Sequence, residues 1–396
     1  MNASVHRAGV PVVDFDIYHS ITPTSDPFSV MHALQQEAGG KLAWTTSNGG
    51  HWIATSGEMV REVMSDHERF SSSRIIIAAT YRERFLPTEY DPPEHGPYRK
   101  LLIPTFLPKA MTRWKDEVKG LAIDLIRGIK SRDRCDFVAD FAEQLPVTIF
   151  LRLVDVPLSD KAQLVKWVNG AIRPASEEAR TKAMLEMNDY VDRLTDERLQ
   201  NPRDDLFSKS LTGEVFGRGL TIDEARGLTR ALLVAGLDTV AAVLGWIARF
   251  LAQNPVHRQR LIAEPRIVPK AVDELLRRFS VVNSARVVKQ DMAYGGAEMK
   301  AGQQILAPTC MHGLDVGIWD QPMTVDFDRN QTFNHLAFGA GVHRCVGMPL
   351  ALLELKTFIE EWLGEIPNFS LDPSISPLVM TGAVHGHTRL PLILGH

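Results

Sequence analysis

The run Ala231–Trp246, ALLVAGLDTVAAVLGW, constrains this chain more than any other segment. Upstream, Thr221-Ile222-Asp223-Glu224 has the spacing of a capping box, in which a Thr side chain and a Glu three residues on satisfy the free N–H groups of a helix start. A helix opened there can run to Gln253, about 30 residues and roughly 45 Å at 1.5 Å per residue. Its middle is apolar all round, so the rest of the chain must wrap it. Gly236, Asp238 and Thr239 are poor choices for that buried interior. They mark a place where the helix can open.

Around this rod the period is mostly helical. Trp114–Ser131, Phe141–Val154, Ser159–Ile172, Glu177–Gln200, Pro269–Phe279 and Met348–Leu363 read as helices. Lys41–Ser56, centred on Ser47-Asn48-Gly49-Gly50, reads as a hairpin, and Tyr294–Lys300 and Gln304–Pro308 as short strands. The Pro-, Ser- and Thr-rich opening and the stretch Gly313–Gly347 read as irregular. No repeat, linker or composition break divides the chain, so residues 1–396 are expected to form one mainly α domain with a minor β region.

With 44 basic and 48 acidic residues, a general nucleic-acid binder is not expected. Three distant cysteines, Cys135, Cys310 and Cys345, make no disulfide framework and suit a reducing cytoplasm. No leader and no bilayer-spanning segment is expected.

Phe338-Gly339-Ala340-Gly341-Val342-His343-Arg344-Cys345-Val346-Gly347 places three glycines around one cysteine just before a helix. Glycines let another body approach the backbone closely. A cysteine ahead of a helix start, with Pro349 in its first turn, meets unpaired N–H groups that favour a thiolate. The physics is that of a loop pressing a charged sulfur against something flat.

This decapeptide resembles the haem-binding signature of the cytochromes P-450 at every position. The resemblance implies the triangular fold of that family, a long central helix over haem b, and Cys345 as proximal iron ligand, with Phe338, Gly339 and Gly347 shaping its loop. Glu274 and Arg277 resemble the family's Glu-x-x-Arg pair, and Arg329 sits where a third, structural member is expected. Ala235-Gly236-Leu237-Asp238-Thr239 resembles the oxygen-activation motif: Thr239 is expected to bond dioxygen and Asp238 to relay protons. His95, Arg99, Arg286 and His343 are the implied propionate holders, although Ser284 stands where related chains carry an Asp.

The resemblance is strongest to the camphor-hydroxylase branch. It implies hydroxylation of a small hydrophobic substrate, a bicyclic monoterpenoid such as cineole or camphor. Dioxygen and two electrons from a two-iron ferredoxin and its flavin-dependent reductase would drive it, in a monomer without membrane or nucleic-acid partners. Phe85, Thr88, Val234, Ala235, Val282, Asn283, Ala383 and Val384 are the implied pocket. Glu83, with Tyr81 nearby, stands where the camphor enzyme has its anchoring tyrosine, so Asn283 is expected to donate to an ether or ketone instead. Arg99, Lys100, Lys109, Arg113 and Arg344 are the implied ferredoxin face, and Ile172–Ala183 the implied lid. The alternatives are a peroxide-driven haem-thiolate enzyme, whose kind tends to lack the Asp–Thr pair, and a non-catalytic haem sensor or carrier.

Overall fold

The computed structural model describes residues 9–81 and 83–395. The first eight residues, part of the segment expected to hold no leader, lie outside them. The chain is mostly helical with short strands at its margins. The expected hairpin pairs Ala43–Thr45 with His51–Ile53, Trp44 opposite Trp52. These strands join Gln304–Pro308, Asn283–Val288 and Phe70–Ser71 in one five-stranded sheet. A second sheet orders Asn368–Leu371, Pro391–Gly395 and Arg134–Asp136.

Pro27–Glu37, in the opening that reads as irregular, is a helix, and so is Gly57–Ser65 beyond the hairpin. Polar residues cap both: Asp26 accepts from the Phe28 N–H, and Ser56 from the Met59 N–H. Short polar side chains favour loops and helix starts for one reason, local bonding to the backbone.

The capping box at Thr221 is formed in both directions. The central helix is not continuous, however. It runs Ile222–Gly236, is interrupted over Leu237 and Asp238, and resumes as Thr239–Gln253. Asp238 takes φ −136°, ψ −42°, which no helix interior accommodates. The 32-residue stretch is long and apolar enough to cross a bilayer, against the expectation that no segment is, but 67% of its most apolar window is buried inside the protein.

The remaining helices fall close to expectation, including Glu177–Gln200 and Met348–Glu365. Pro108–Lys130 starts six residues early, at a proline whose missing N–H costs nothing in a first turn. The strand Asn283–Val288 and those after Asn368 had too little alternation to stand out.

Candidate active site

Cys345 lies between a one-turn helix, Gly341–His343, and the helix Met348–Glu365. Its N–H donates to the Phe338 carbonyl at 2.9 Å and so closes the loop. Gly339 and Gly341 have φ of +69° and +65°, where side chains are strained. Gly341 also packs on the backbone of Ser65, where a Cβ would stand 2.8 Å away; a Cβ on Gly339 would meet no protein atom within 4 Å. The Cys345 side chain is accessible from inside the molecule while the surrounding fold encloses it. Enclosure dominates and burial pushes its thiol pKa up, opposed by the N–H groups of Gly347 and Met348 and by the charges of Arg99 and Arg344.

Four basic side chains gather beside this loop. His95 opens the helix His95–Leu102, and Arg99, about one turn on, falls on the same face. The Gly96-Pro97 pair does not prevent this helix, because the Pro97 nitrogen falls among the first-turn groups that have no intrahelical acceptor. The His95 and His343 rings lie 4.3 Å apart. The Nε2 atoms of both are buried without a partner. Burial, reinforced by Arg286, His95 and Arg99, pushes His343 down to about 2, and burial with Arg99 pushes His95 down to about 4. Arg286 points inward from its strand and bonds only the Ser284 hydroxyl and the Ala285 carbonyl, each at 2.8 Å. Burial lowers its pKa to about 10, with only Asp91 opposing. Arg99 donates to the Arg344 carbonyl. Among the described residues none of the four forms an ion pair with a carboxylate.

On the other side, Asp238 is gripped by an arginine that sequence reasoning missed. Arg173, just past the helix Lys161–Ile172, donates from Nη1 and Nη2 to the two carboxylate oxygens at 2.6 and 2.7 Å. It also bonds Asn169 Oδ1 at 2.7 Å and the Val384 carbonyl at 2.8 Å. The pair is nearly buried, with side-chain exposures of 3% and 10%. Arg173 belongs to the expected lid, but nothing in its local sequence tells which carboxylate it meets. Thr239 Oγ1 makes only a long bond, 3.3 Å, to the Ala235 carbonyl.

Glu274, Arg277 and Arg329 meet as one buried network. Glu274 accepts from Arg277 Nε at 2.7 Å and Nη2 at 2.8 Å, from Arg329 Nε at 3.1 Å and from the Asp326 N–H at 2.9 Å. Arg277 also binds the carbonyls of Gly313, Pro322 and Thr324. The network thereby pins the irregular stretch leading to Cys345.

The expected pocket residues divide. Ala235 and Thr88 are exposed, and Val234, Val282 and Ala383 partly so. Phe85 is buried edge-on to Tyr81, and Val384 bridges to Val282. Asn283 does not fit its expected role. Its amide nitrogen spends both hydrogens, on the Gly382 carbonyl at 2.8 Å and towards His385 Nε2 at 3.0 Å, and its oxygen is buried. It cannot donate to a ligand. Tyr81 is also committed, donating to the buried Glu89 at 2.6 Å.

A family model described as Cytochrome P450 matches residues 147–376. A Sinorhizobium fredii protein, described as probable cytochrome P450 127A1, is 32% identical over 378 residues, covering 94% of this chain and 91% of its own. The crystal structure of cytochrome P450 CYP101C1 superposes with a TM-score of 0.88 at 36% identity over 98% of both chains. That of CYP101J2 gives 0.87 at 34% over 97% of both. The chain belongs to the cytochrome P-450 family. It has that family's fold, falls in the camphor-hydroxylase-like branch expected from its motifs, and is a haem b monooxygenase.

The residues present suit that cofactor. Haem b carries two propionates, and the cluster of His95, Arg99, Arg286 and His343 is basic, with two buried imidazole nitrogens unpartnered. Left-handed Gly339 leaves room for a flat ring against the loop.

Proposed function

We propose that Cys345 is the proximal thiolate ligand and that His95, Arg99, Arg286 and His343 hold the haem propionates. The observation that carries this reading is the convergence of four basic groups, none paired with a carboxylate, on the loop that carries the accessible thiol. Bound there, haem supplies dioxygen activation, which an electron-rich thiolate favours. The protein supplies position and protons. Asp238 is the proton carrier and Thr239 the hydroxyl that orients the distal side. Both oxygens of Asp238 accept from Arg173, so that arginine fixes the position of the carboxylate. Because Arg173 stands in the lid segment, lid movement and proton delivery are linked.

The substrate we propose is a bicyclic monoterpenoid, camphor- or cineole-like, hydroxylated at an unactivated carbon. The small apolar candidates Val234, Ala235, Val282, Ala383 and Val384 suit a compact apolar body. With Asn283 and Tyr81 committed elsewhere, Thr88 is the hydroxyl among these candidates, and we assign it any bond to the substrate oxygen. A two-iron ferredoxin, reduced by a flavin enzyme, is the proposed electron donor. Lys100, Lys109, Arg113 and Arg344 are exposed, with Ile103 and Leu107 exposed among them. That mixture suits an acidic partner with an apolar centre. We propose a cytoplasmic monomer, one domain over its whole length.

The test is the absorption spectrum of the reduced protein under carbon monoxide, for the wild type and Cys345→Ser, followed by spin-state titration with camphor, cineole and fatty acids. A strongly red-shifted band lost in Cys345→Ser is the expected result. A wild-type band typical of histidine ligation overturns the ligand assignment. Tight spin shifts with fatty acids alone overturn the substrate class.

A further inference from the structure

Two helical turns beyond Thr239, on the far half of the central helix, a cavity of about 520 Å³ lies among Trp246, Arg249, Phe250, Arg278, Phe279 and Asp26. None of these residues belongs to the haem site described above. The volume is within the roughly 300–1,000 Å³ of ordinary small-ligand sites.

Its electrostatics are unbalanced. Arg278 is 8% exposed at its side chain, and its guanidinium stacks on the rings of Phe28 and Phe279 at 5.5 and 4.9 Å. Its Nε donates to the Met323 carbonyl at 2.9 Å, while Nη1 is buried without any partner. The nearest carboxylate, Asp26 Oδ2, is 3.9 Å from Nη2, too far for a hydrogen bond. Asp26 is itself engaged at its helix start, by the Phe28 N–H at 3.1 Å and the Ser29 hydroxyl at 2.7 Å. Arg249 lies over the Trp246 ring at 5.4 Å, and its polar contact is His387 Nε2 at 3.4 Å. Among the described residues it has no carboxylate within 4 Å. Burial lowers the pKa of both arginines, with Asp26 the main opposing charge at each.

Two guanidinium charges against one carboxylate leave a single positive charge, complementary to a monoanion. The guanidinium fork matches the two oxygens of a carboxylate. Trp246, Phe250 and Phe279 offer an aromatic floor beside it, which suits a ring or alkyl body.

We propose that this cavity binds a small organic monocarboxylate, its carboxylate held by Arg249 and Arg278 and its apolar body lying on the three rings. It is a second ligand site, separate from the haem pocket, and its existence does not depend on which substrate the haem pocket takes.

The experiment uses 4-fluorobenzoate as the probe, followed by ¹⁹F NMR on the haem-loaded protein in its diamagnetic ferrous carbonyl form. Absorption spectra are recorded through the same titration. The expected result is saturable binding with an unchanged haem spectrum, weakened at least tenfold in Arg249→Gln. Gln253→Trp, which places a bulky ring at the exposed edge of the cavity, should weaken it likewise. Fluorobenzene, which keeps the ring and lacks the carboxylate, should bind at least tenfold more weakly. Absence of saturable binding overturns the proposal. So does equal affinity in both variants, equal affinity for fluorobenzene, or a haem spectral change that tracks the binding curve.

Discussion

Arg173→Met isolates the grip on Asp238. The substitution keeps a long apolar side chain and removes four hydrogen bonds, two of them to Asp238. The carboxylate is left 10% exposed and without its counter-charge. Breaking a buried ion pair by removing one partner costs about 3–5 kcal/mol. The variant should therefore lose about 3–5 kcal/mol of folding stability at neutral pH. Urea unfolding of both proteins at neutral pH measures the difference directly. A difference smaller than about 1 kcal/mol refutes the reasoning. Arg173→Lys, which restores the charge without the planar fork, should recover part of the loss.

Three further outcomes follow from the site. Glu274→Gln turns one acceptor oxygen into a donor facing an arginine N–H, and should cost about 3 kcal/mol and speed haem loss on dilution; an unchanged urea midpoint would contradict the network's role. Thr239→Ala should keep haem binding and the substrate spin shift while diverting electrons to hydrogen peroxide, read as product formed per NADH consumed. Full retention of coupling there removes the hydroxyl from the proton path. Reduction by ferredoxin should slow steeply between about 0.05 and 0.3 M salt, as the screening length falls below about 10 Å, and salt-independent rates would deny the basic face its function.

What the sequence discloses is what it encodes over short range. The Phe338–Gly347 loop is ten consecutive residues, and two of its three glycines, Gly339 and Gly341, take the left-handed backbone that favours glycine. Glu274 and Arg277 are one helical turn apart, so their meeting needs only a helix. Arg173 and Asp238 are 65 positions apart, and no periodicity joins them. Their contact depends on how the loop after Ile172 folds back over the central helix. Asn283 fails for a related reason. The strand it opens had too little alternation to stand out, and its hydrogens are taken by Gly382 and His385, about 100 residues downstream, from a segment that showed no pattern of its own. Asp26 and Pro27 mislead differently, since residues that start helices and residues that fill loops share a chemistry.

The interruption at Leu237–Asp238 joins these two levels. Locally, Gly236-Leu237-Asp238-Thr239 disagrees with the apolar helix around it, and that disagreement was visible at once. A sequence can carry such a conflict only if the tertiary structure compensates for it. Here the compensation has a known form. The Phe150 ring occupies the space beside Gly236, where a Cβ would come within 2.3 Å of it, and Arg173 neutralises the charge of Asp238. The break therefore does not persist through helix propensity. It is held by the packing of Phe150 and by the grip of Arg173, so the groups that stabilise the opening also fix the position of Asp238.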